Sequence, residues 1–142
     1  MTNPRLPVTI VETSPVLMKA PIPAECWQVL QAVHPNVLVV NRDTQRRLRA
    51  VEAILDAARA PIWRCERRPL ALPSDDVGTL LVPDVHALGE SEQLELLVWA
   101  RRHKTAQIVT ATPVPLYPAV TAGRFLDELY YRINVLVIGD DA

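Results

Sequence analysis

Val37-Leu38-Val39-Val40-Asn41-Arg42-Asp43-Thr44-Gln45-Arg46-Arg47-Leu48 opens the stretch of sequence that decides the fold of this chain. Its first four residues form a short apolar run, which is typical of a buried parallel strand. Residues 41–44 are polar and turn-prone. Apolar residues then recur at helical spacing on one face: Leu48, Val51, Ile54, Leu55 and Ala58. The stretch therefore predicts strand, tight turn and helix, the geometry that presents a helix N-terminus to a phosphate.

The turn lacks the residues that phosphate chemistry requires. A phosphate-binding P-loop needs glycines, so that backbone N–H groups can surround the phosphates, and then a Lys and a Ser or Thr for charge and Mg²⁺. Here the turn contains no glycine, Arg47 stands where the Lys would be, and Leu48 stands where the hydroxyl would be. The sequence predicts that the architecture is kept and the active chemistry is lost.

Composition indicates one globular domain over residues 1–142, with residues 1–7 as a loose tail. The chain is 49% apolar and has a net charge of -1, which gives no general attraction to nucleic acid or to an anionic membrane. No apolar run reaches transmembrane length, and the N-terminus has no signal-peptide pattern, so we expect a cytoplasmic protein. Cys26 and Cys65 are far apart without a CxxC motif; we interpret them as reduced buried thiols, with a disulfide left open.

Strands and helices are predicted to alternate along the whole chain. Further predicted strands cover residues 8–11 (at an edge), 62–65, 78–82, 106–110 and 135–138. Predicted helices begin at Thr13-Ser14-Pro15 and cover residues 24–33, 45–59, 91–103 (capped by Ser91) and 123–131. Residues 66–76 and the proline-rich residues 112–121 are predicted loops. Two inward faces are predicted, one of Trp27, Leu30 and Val33, and one of Leu94, Leu97 and Val98. The alternation predicts an α/β fold with a parallel sheet covered on both faces, and any ligand at the C-terminal ends of the strands.

Two segments resemble the AAA+ ATPase domain of sigma-54-dependent transcriptional activators. Residues 123–135, GRFLDELYYRINV, closely resemble the family segment GRFREDLYYRLNV. Residues 78–88, GTLLVPDVHAL, resemble the Walker B strand GTLFLDEIGEL. With these fixed, residues 37–55 lie without gaps on the P-loop segment VLITGESGTGKELVARAIH, and residues 107–112 lie on the sensor strand VIAATN. The resemblance implies a P-loop NTPase-like core of five parallel strands, with the strand at residue 37 between those at residues 106 and 135. The strand at residue 78 then lies beyond residue 106, and the strand at residue 62 lies at the edge.

The departures from the family pattern fall on its nucleotide site. Asn41, Thr44 and Arg46 replace the three P-loop glycines, and Arg47 replaces the Walker A Lys. Further along the chain, Pro83 replaces the Walker B Asp, Asp84 the catalytic Glu, and Pro113 the sensor Asn. In the family, two arginines of the GRFREDLYYRLNV segment serve hydrolysis across the subunit interface. Leu126 stands at the position of the first arginine, and Arg132 matches the second. The resemblance also implies that the sigma-contacting insertion between residues 65 and 78 is missing, and that the lid subdomain and the DNA-binding helix-turn-helix are not included.

Each retained residue also has a structural interpretation, which we favour. Arg47 is interpreted as a solvated residue near a helix start, Asp84 as a turn or cap residue, and Arg132 as the partner of Asp127 or Glu128 in an ion pair. Tyr130 and Tyr131 are interpreted as packing residues. Asp43 or Thr44 is predicted to cap the helix that follows the turn. The histidines have no metal-site spacing, and the arginines at 42, 46, 47 and 49 spread over more than one helix side, which favours a solvated face over a nucleic-acid groove.

The sequence therefore favours a non-catalytic regulatory or protein-interaction module, acting in transcription regulation or signalling as a pseudo-ATPase. The degenerate nucleotide-site positions are Asn41, Asp43, Thr44, Arg46, Arg47 and Asp84. The candidate interface residues are Arg124, Tyr130, Tyr131 and Arg132, and the expected partner is a second copy or a full-length activator. No cofactor, metal, membrane or direct DNA contact is expected. The alternative is a sensor that holds a nucleotide or phosphate weakly, without hydrolysis.

Overall fold

The computed structural model of this chain describes residues 22–139. The predicted strand at residues 8–11, the helix start at residues 13–15 and the tail at residues 1–7 lie outside these residues. Within them the chain alternates strands and helices: α1 (Ala24–Val33), β1 (Val37–Val40), α2 (Thr44–Asp56), β2 (Ile62–Arg64), β3 (Thr79–Val82), a 3-10 turn (Val85–Ala87), α3 (Glu90–Arg102), β4 (Gln107–Thr112), α4 (Tyr117–Thr121), α5 (Asp127–Ile133) and β5 (Leu136–Gly139).

The five strands form one parallel sheet in the order β2-β3-β4-β1-β5. This order confirms the predicted one, with β1 at the centre beside β4 and β5. Val40 at the end of β1 pairs with Thr112 and with Gly139, so the strands finish at a common C-terminal edge. The elements that follow β1, β3 and β4 all start from this edge, where α/β sheets bind their ligands.

Two apolar clusters cover the two faces of the sheet. Neighbouring residues of a strand point to opposite faces, so Leu38 enters one cluster and Val37 and Val39 enter the other. The first cluster contains α3 and α5, and the second contains the inner faces of α1 and α2. The predicted covering of the sheet on both faces is confirmed.

Several predicted boundaries differ from the observed ones. Residues 117–121, predicted as loop, form α4, because Pro118 stands in the first turn, where a helix does not need its missing N–H. Helix α3 is preceded by Gly89 at the cap position instead of Ser91, and Glu92 Oε1 accepts the Gly89 N–H at 3.4 Å. Helix α2 ends at Asp56 instead of residue 59, and α5 runs from Asp127 to Ile133 instead of from residue 123 to 131.

The predicted inward faces were partly wrong. Leu48 is 52% exposed although it lies on the same stripe as buried Leu55, because it is two turns nearer the start of α2, where the sheet ends. Val33, in the last turn of α1, is 68% exposed. In α3 the buried residues are Gln93, Leu96, Leu97, Trp99 and Ala100, so Leu94 and Val98 face outward.

Candidate functional site

The turn between β1 and α2 is closed by its own side chains. Asp43 Oδ1 accepts the backbone N–H of Arg46 at 2.9 Å, and Asn41 Oδ1 accepts the backbone N–H of Asp43 at 2.9 Å. The predicted capping by Asp43 is confirmed, and Thr44 is the first helical residue. The Asp43 carboxylate thus lies at the positive end of the helix dipole, the place that an anionic ligand would otherwise occupy.

Arg47 is held against the same turn. Its Nη1 donates to the carbonyl oxygen of Asn41 at 2.8 Å, and its side chain is half-buried. The interpretation of Arg47 as a solvated residue was therefore wrong, because the guanidinium finds an acceptor within the turn itself. The Asn41 N–H donates to Thr112 O at 3.1 Å, which ties the start of the turn to the end of β4. Arg46 is exposed on the first turn of α2.

Asp84 lies at the same edge of the sheet, after β3. Its backbone has φ 54°, in the left-handed region, and its side chain is exposed without capping the 3-10 turn that follows. The Asp84 carbonyl accepts from Arg68 Nη2 at 3.1 Å. The interpretation of Asp84 as a turn residue is confirmed, since aspartate tolerates this conformation better than most residues.

An open cleft of about 460 Å³ lies beside Asp84. Its lining comes from the ends of three neighbouring strands: Cys65, Glu66, Arg68, Pro83, Asp84, His86, Ala87 and Pro113. The cleft thus joins the positions of the Walker B pair and the sensor residue, while none of the residues of the capped turn lines it. Among residues 22–139, no three His, Cys, Asp or Glu side chains are grouped so that they could hold a metal ion.

The two cysteines are free thiols. Cys65 is buried below the cleft, and its burial raises its pKa to about 11. Cys26 is half-buried, and burial together with nearby Glu25 raises its pKa as well. Both shifts favour the protonated thiol, which is the less reactive form.

Comparison with known proteins gives one curated relative and a group of solved structures. The NtrX-like response regulator of Rickettsia bellii is 31% identical over 80 residues, which are 49% of this chain and 17% of that protein. NtrX of Brucella abortus in complex with ATP superposes with a TM-score of 0.65 at 13% identity, over 83% of this chain and 34% of that one. Its complex with ADP gives a TM-score of 0.63 at 14% identity, over 81% and 35%. No protein-family model matches the sequence.

The resemblance to sigma-54 activators is confirmed. The chain is related to their AAA+ domain, and its parallel five-stranded sheet has the AAA+ P-loop NTPase fold. It spans about a third of the length of the solved NtrX structures and 17% of the curated relative.

The segment at residues 123–132 forms the turn between α4 and α5 and most of α5. Arg124 is exposed, and Tyr131 is 61% exposed. The Tyr130 ring packs between those of Tyr117, at 6.0 Å, and Tyr131, at 5.1 Å between centroids. The interpretation of Tyr130 as a packing residue is confirmed, whereas Tyr131 presents most of its ring to solvent.

Arg132 is not paired as predicted. The Glu128 carboxylate binds Arg101 of α3, whose Nε donates at 3.0 Å, and this contact lowers the Glu128 pKa. Among residues 22–139, no carboxylate lies in ion-pair contact with Arg132, although its charge helps Arg101 to lower the Glu128 pKa, and its buried Nε has no hydrogen-bond partner. The ion-pair prediction failed because the sequence does not show that α3 and α5 lie side by side, which brings Arg101 to Glu128.

Gln93 holds this segment in place, and the sequence analysis missed it. Its Nε2 donates to Leu88 O at 2.9 Å and Arg124 O at 3.0 Å, and its Oε1 accepts the Leu126 N–H at 2.8 Å. Gln93 is 2% exposed. The sequence offers little signal for this role, since Gln93 follows the polar residues 90–92 at the start of α3.

Proposed function

We propose that this chain is a non-hydrolysing regulatory or protein-interaction module, derived from the AAA+ domain of a sigma-54 activator and acting in bacterial transcription regulation or signalling. The observation that carries the proposal is the capped turn between β1 and α2. A bound phosphate needs backbone N–H groups at the helix start. Here the N–H of Arg46 is already bonded to the Asp43 carboxylate at 2.9 Å.

The charge of the Asp43 carboxylate opposes phosphate binding in addition to its occupation of the Arg46 N–H. Ionised Asp43 repels a phosphate at the helix N-terminus, where the helix dipole would otherwise attract it. The Arg47 guanidinium, which stands where the Walker A Lys would reach the phosphates, is bonded to Asn41 O. An incoming nucleotide must therefore break two intrachain contacts before it gains any of its own.

Metal-dependent chemistry lacks its ligands as well. Phosphoryl transfer relies on positioning and on Mg²⁺ held by a hydroxyl and a carboxylate. Leu48 and Pro83 occupy those two positions, and neither offers an oxygen-bearing side chain. Asp84 carries a carboxylate, but it has a shorter reach than the Glu of active family members. We therefore assign no cofactor and no catalytic residue to the site.

The alternative is a sensor that binds a nucleotide without cleaving it. It is supported by the ATP and ADP complexes of Brucella NtrX, whose fold this chain shares. Arg46 and Arg47 supply positive charge near the helix start, against the carboxylate of Asp43. The alternative ranks second because the Asp43 carboxylate already binds the Arg46 N–H and places a negative charge at the helix start.

Calorimetric titration with ATP, with and without Mg²⁺, separates the two functions. We expect a Kd no lower than about 1 mM, a binding free energy of about -4 kcal/mol, and no phosphate release. Asp43→Asn is the matched variant, because it keeps a capping oxygen and removes the charge. It should bind ATP no more than about tenfold more tightly. Micromolar, Mg²⁺-dependent binding by the natural chain would promote the sensor, and turnover abolished by Asp84→Ala would contradict the whole proposal.

A protein partner, either a second copy or a full-length activator, follows from the proposed role. Arg124 and Tyr131, two of the exposed residues within 123–132, form one candidate surface. Arg132 and Tyr130 lie beside them and are half-buried. We assign no direct DNA contact, because the net charge is -1. None of the helices within residues 22–139 is long and apolar enough to cross a membrane, and we propose a cytoplasmic location.

A further inference from the structure

The outward face of α3 carries apolar side chains that the fold does not use. Leu94 is 52% exposed, and Val98, one turn later, is 38% exposed. They border a groove of about 610 Å³ between α3 and the loop at residues 72–74, whose lining also includes Leu72 and Pro73. Two exposed apolar residues at i and i+4 beside an apolar groove form a seam against which another helix can pack.

Two opposite charges on the same face also lack partners. Glu95 and Arg102 both line the groove. They are seven residues apart, so they point the same way, but a helical rise of roughly 10 Å prevents them from pairing with each other. Within residues 22–139, neither side chain has a hydrogen bond or an ion pair. By contrast, Arg101 binds Glu128, and Glu92 Oε2 accepts the Leu70 N–H.

We propose that this face of α3 is a homodimer interface, in which two copies pack their α3 helices antiparallel around a twofold axis near Val98. The axis places Glu95 of each copy beside Arg102 of the other, so that two ion pairs flank the apolar seam. Val98 lies at the centre, and Leu94 packs toward the groove of the second copy. The contact is reciprocal and closed, as a twofold interface requires. The inference rests on the proposed interaction role and names its partner.

Charge complementarity selects a second copy as the occupant. A parallel pairing would place Glu95 beside Glu95 and Arg102 beside Arg102, whereas antiparallel pairing matches every charge with its opposite. The net charge of -1 opposes self-association only weakly. One helix seam with its groove buries less than the roughly 1,600 Å² of a standard stable interface, so we expect a Kd of tens of micromolar.

Sedimentation equilibrium of the full chain from about 5 to 500 µM tests the dimer. We expect a monomer–dimer equilibrium that Leu94→Glu weakens by roughly a hundredfold, because the seam would then bury a charge twice. Leu48→Glu is the matched control, since Leu48 is also 52% exposed but lies on α2, on the other face of the sheet. It should leave the equilibrium unchanged.

Charge reversal tests the register independently of the apolar seam. Glu95→Arg and Arg102→Glu should each weaken the dimer by roughly tenfold or more, since each makes both flanking pairs like-charged. An equimolar mixture of the two variants should form a heterodimer of about the natural affinity, because every pair then joins opposite charges again. This rescue excludes misfolding as the cause.

A monomer at all concentrations, a dimer unaffected by Leu94→Glu, or the absence of rescue would overturn the proposal. The ATP titration is a separate readout, so a failed dimer leaves the non-hydrolysing role intact.

Discussion

At the scale of single residues, Gly78 shows how closely two segments of backbone approach each other. Its N–H donates to Pro61 O at 3.0 Å, and a Cβ at this position would lie 2.5 Å from Arg59 O and 2.6 Å from Ala60 O. Both are backbone atoms, which cannot rotate away. We expect Gly78→Ala to lower the free energy of unfolding by about 2–3 kcal/mol.

Gly89→Ala is the control for this substitution. A Cβ at Gly89 meets no atom within 4 Å, and the residue caps α3, where alanine is only moderately worse than glycine. Its cost should stay below about 1 kcal/mol. Urea unfolding of both variants measures the two losses, and equal losses would contradict the steric argument.

The Cys65 thiol makes a pH-dependent contribution to stability. Its pKa is raised to about 11 in the folded chain by burial, so folding favours the neutral thiol. Its contribution is fully present below the pKa of the unfolded thiol, about 8.5, and is lost as pH rises through about 11. Cys65→Ser should therefore flatten the fall in the free energy of unfolding between those two pH values. If the free energy of unfolding falls equally with pH in the natural chain and in Cys65→Ser, other titrating groups cause the fall.

Thiol modification checks the two cysteines separately at pH 8. Cys26 is half-buried and Cys65 is 3% exposed. Cys65, measured in the Cys26→Ser variant, should react at least about tenfold more slowly than Cys26, measured in the Cys65→Ser variant. The reason is that the Cys65 thiol is both buried and protonated. The difference should vanish in denaturant.

At the scale of secondary-structure elements, two buried glutamines have unequal roles. Gln93 makes three hydrogen bonds: one to Leu88 O, just before α3, and two that join α3 to Arg124 and to Leu126 at the start of α5. Gln107 makes one side-chain bond, from Nε2 to Pro35 O at 2.7 Å, and its buried Oε1 has no partner. We expect Gln93→Met to cost about 2–4 kcal/mol, since it leaves three backbone groups unpaired.

Gln107→Met is the matched substitution, because Gln107 is 1% exposed and β4 is also central to the core. It removes one bond and one unpaired oxygen, so its cost should be about 1 kcal/mol or less. Urea denaturation of the two variants gives the comparison. If Gln107→Met proves the more damaging, the hydrogen bonds of Gln93 do not hold the segment as we infer.

The elements themselves could be predicted far better than their faces. Apolar runs and breakers located all five strands of the described sheet within two residues at each end. For the central strands β1 and β3 the reason is that both of their faces are buried, so that no exposed side interrupts the apolar run. The inward face of α3 could not be predicted: Gln93 is buried through bonds to a segment some thirty residues away. The capped turn was predictable, since Asp43 precedes the helix directly, whereas the bond of Arg47 to Asn41 depends on the path of the turn.

At the scale of the whole molecule, the two apolar clusters are joined through the strands they share. In β3, Leu80 and Val82 belong to the cluster with α3 and α5, and Leu81 between them belongs to the cluster with α1 and α2. All three side chains are at most 1% exposed. Since one cluster cannot lose its strands without the other, we expect the described part of the chain to unfold in one cooperative transition.

The tryptophans provide a probe on each face. Trp99 is buried in the cluster with α3, and Trp27 packs partly against the cluster with α1 and α2. Two single-tryptophan variants, one keeping Trp99 and one keeping Trp27, report the two faces separately by fluorescence. Each further substitution is compared with its own single-tryptophan parent, so that the cost of removing the other tryptophans cancels. Leu80→Ala and Leu81→Ala should each lower that free energy by about 2–5 kcal/mol at both probes. If Leu81→Ala shifts the Trp27 signal and leaves the Trp99 signal in place, the two faces unfold independently and the sheet does not couple them.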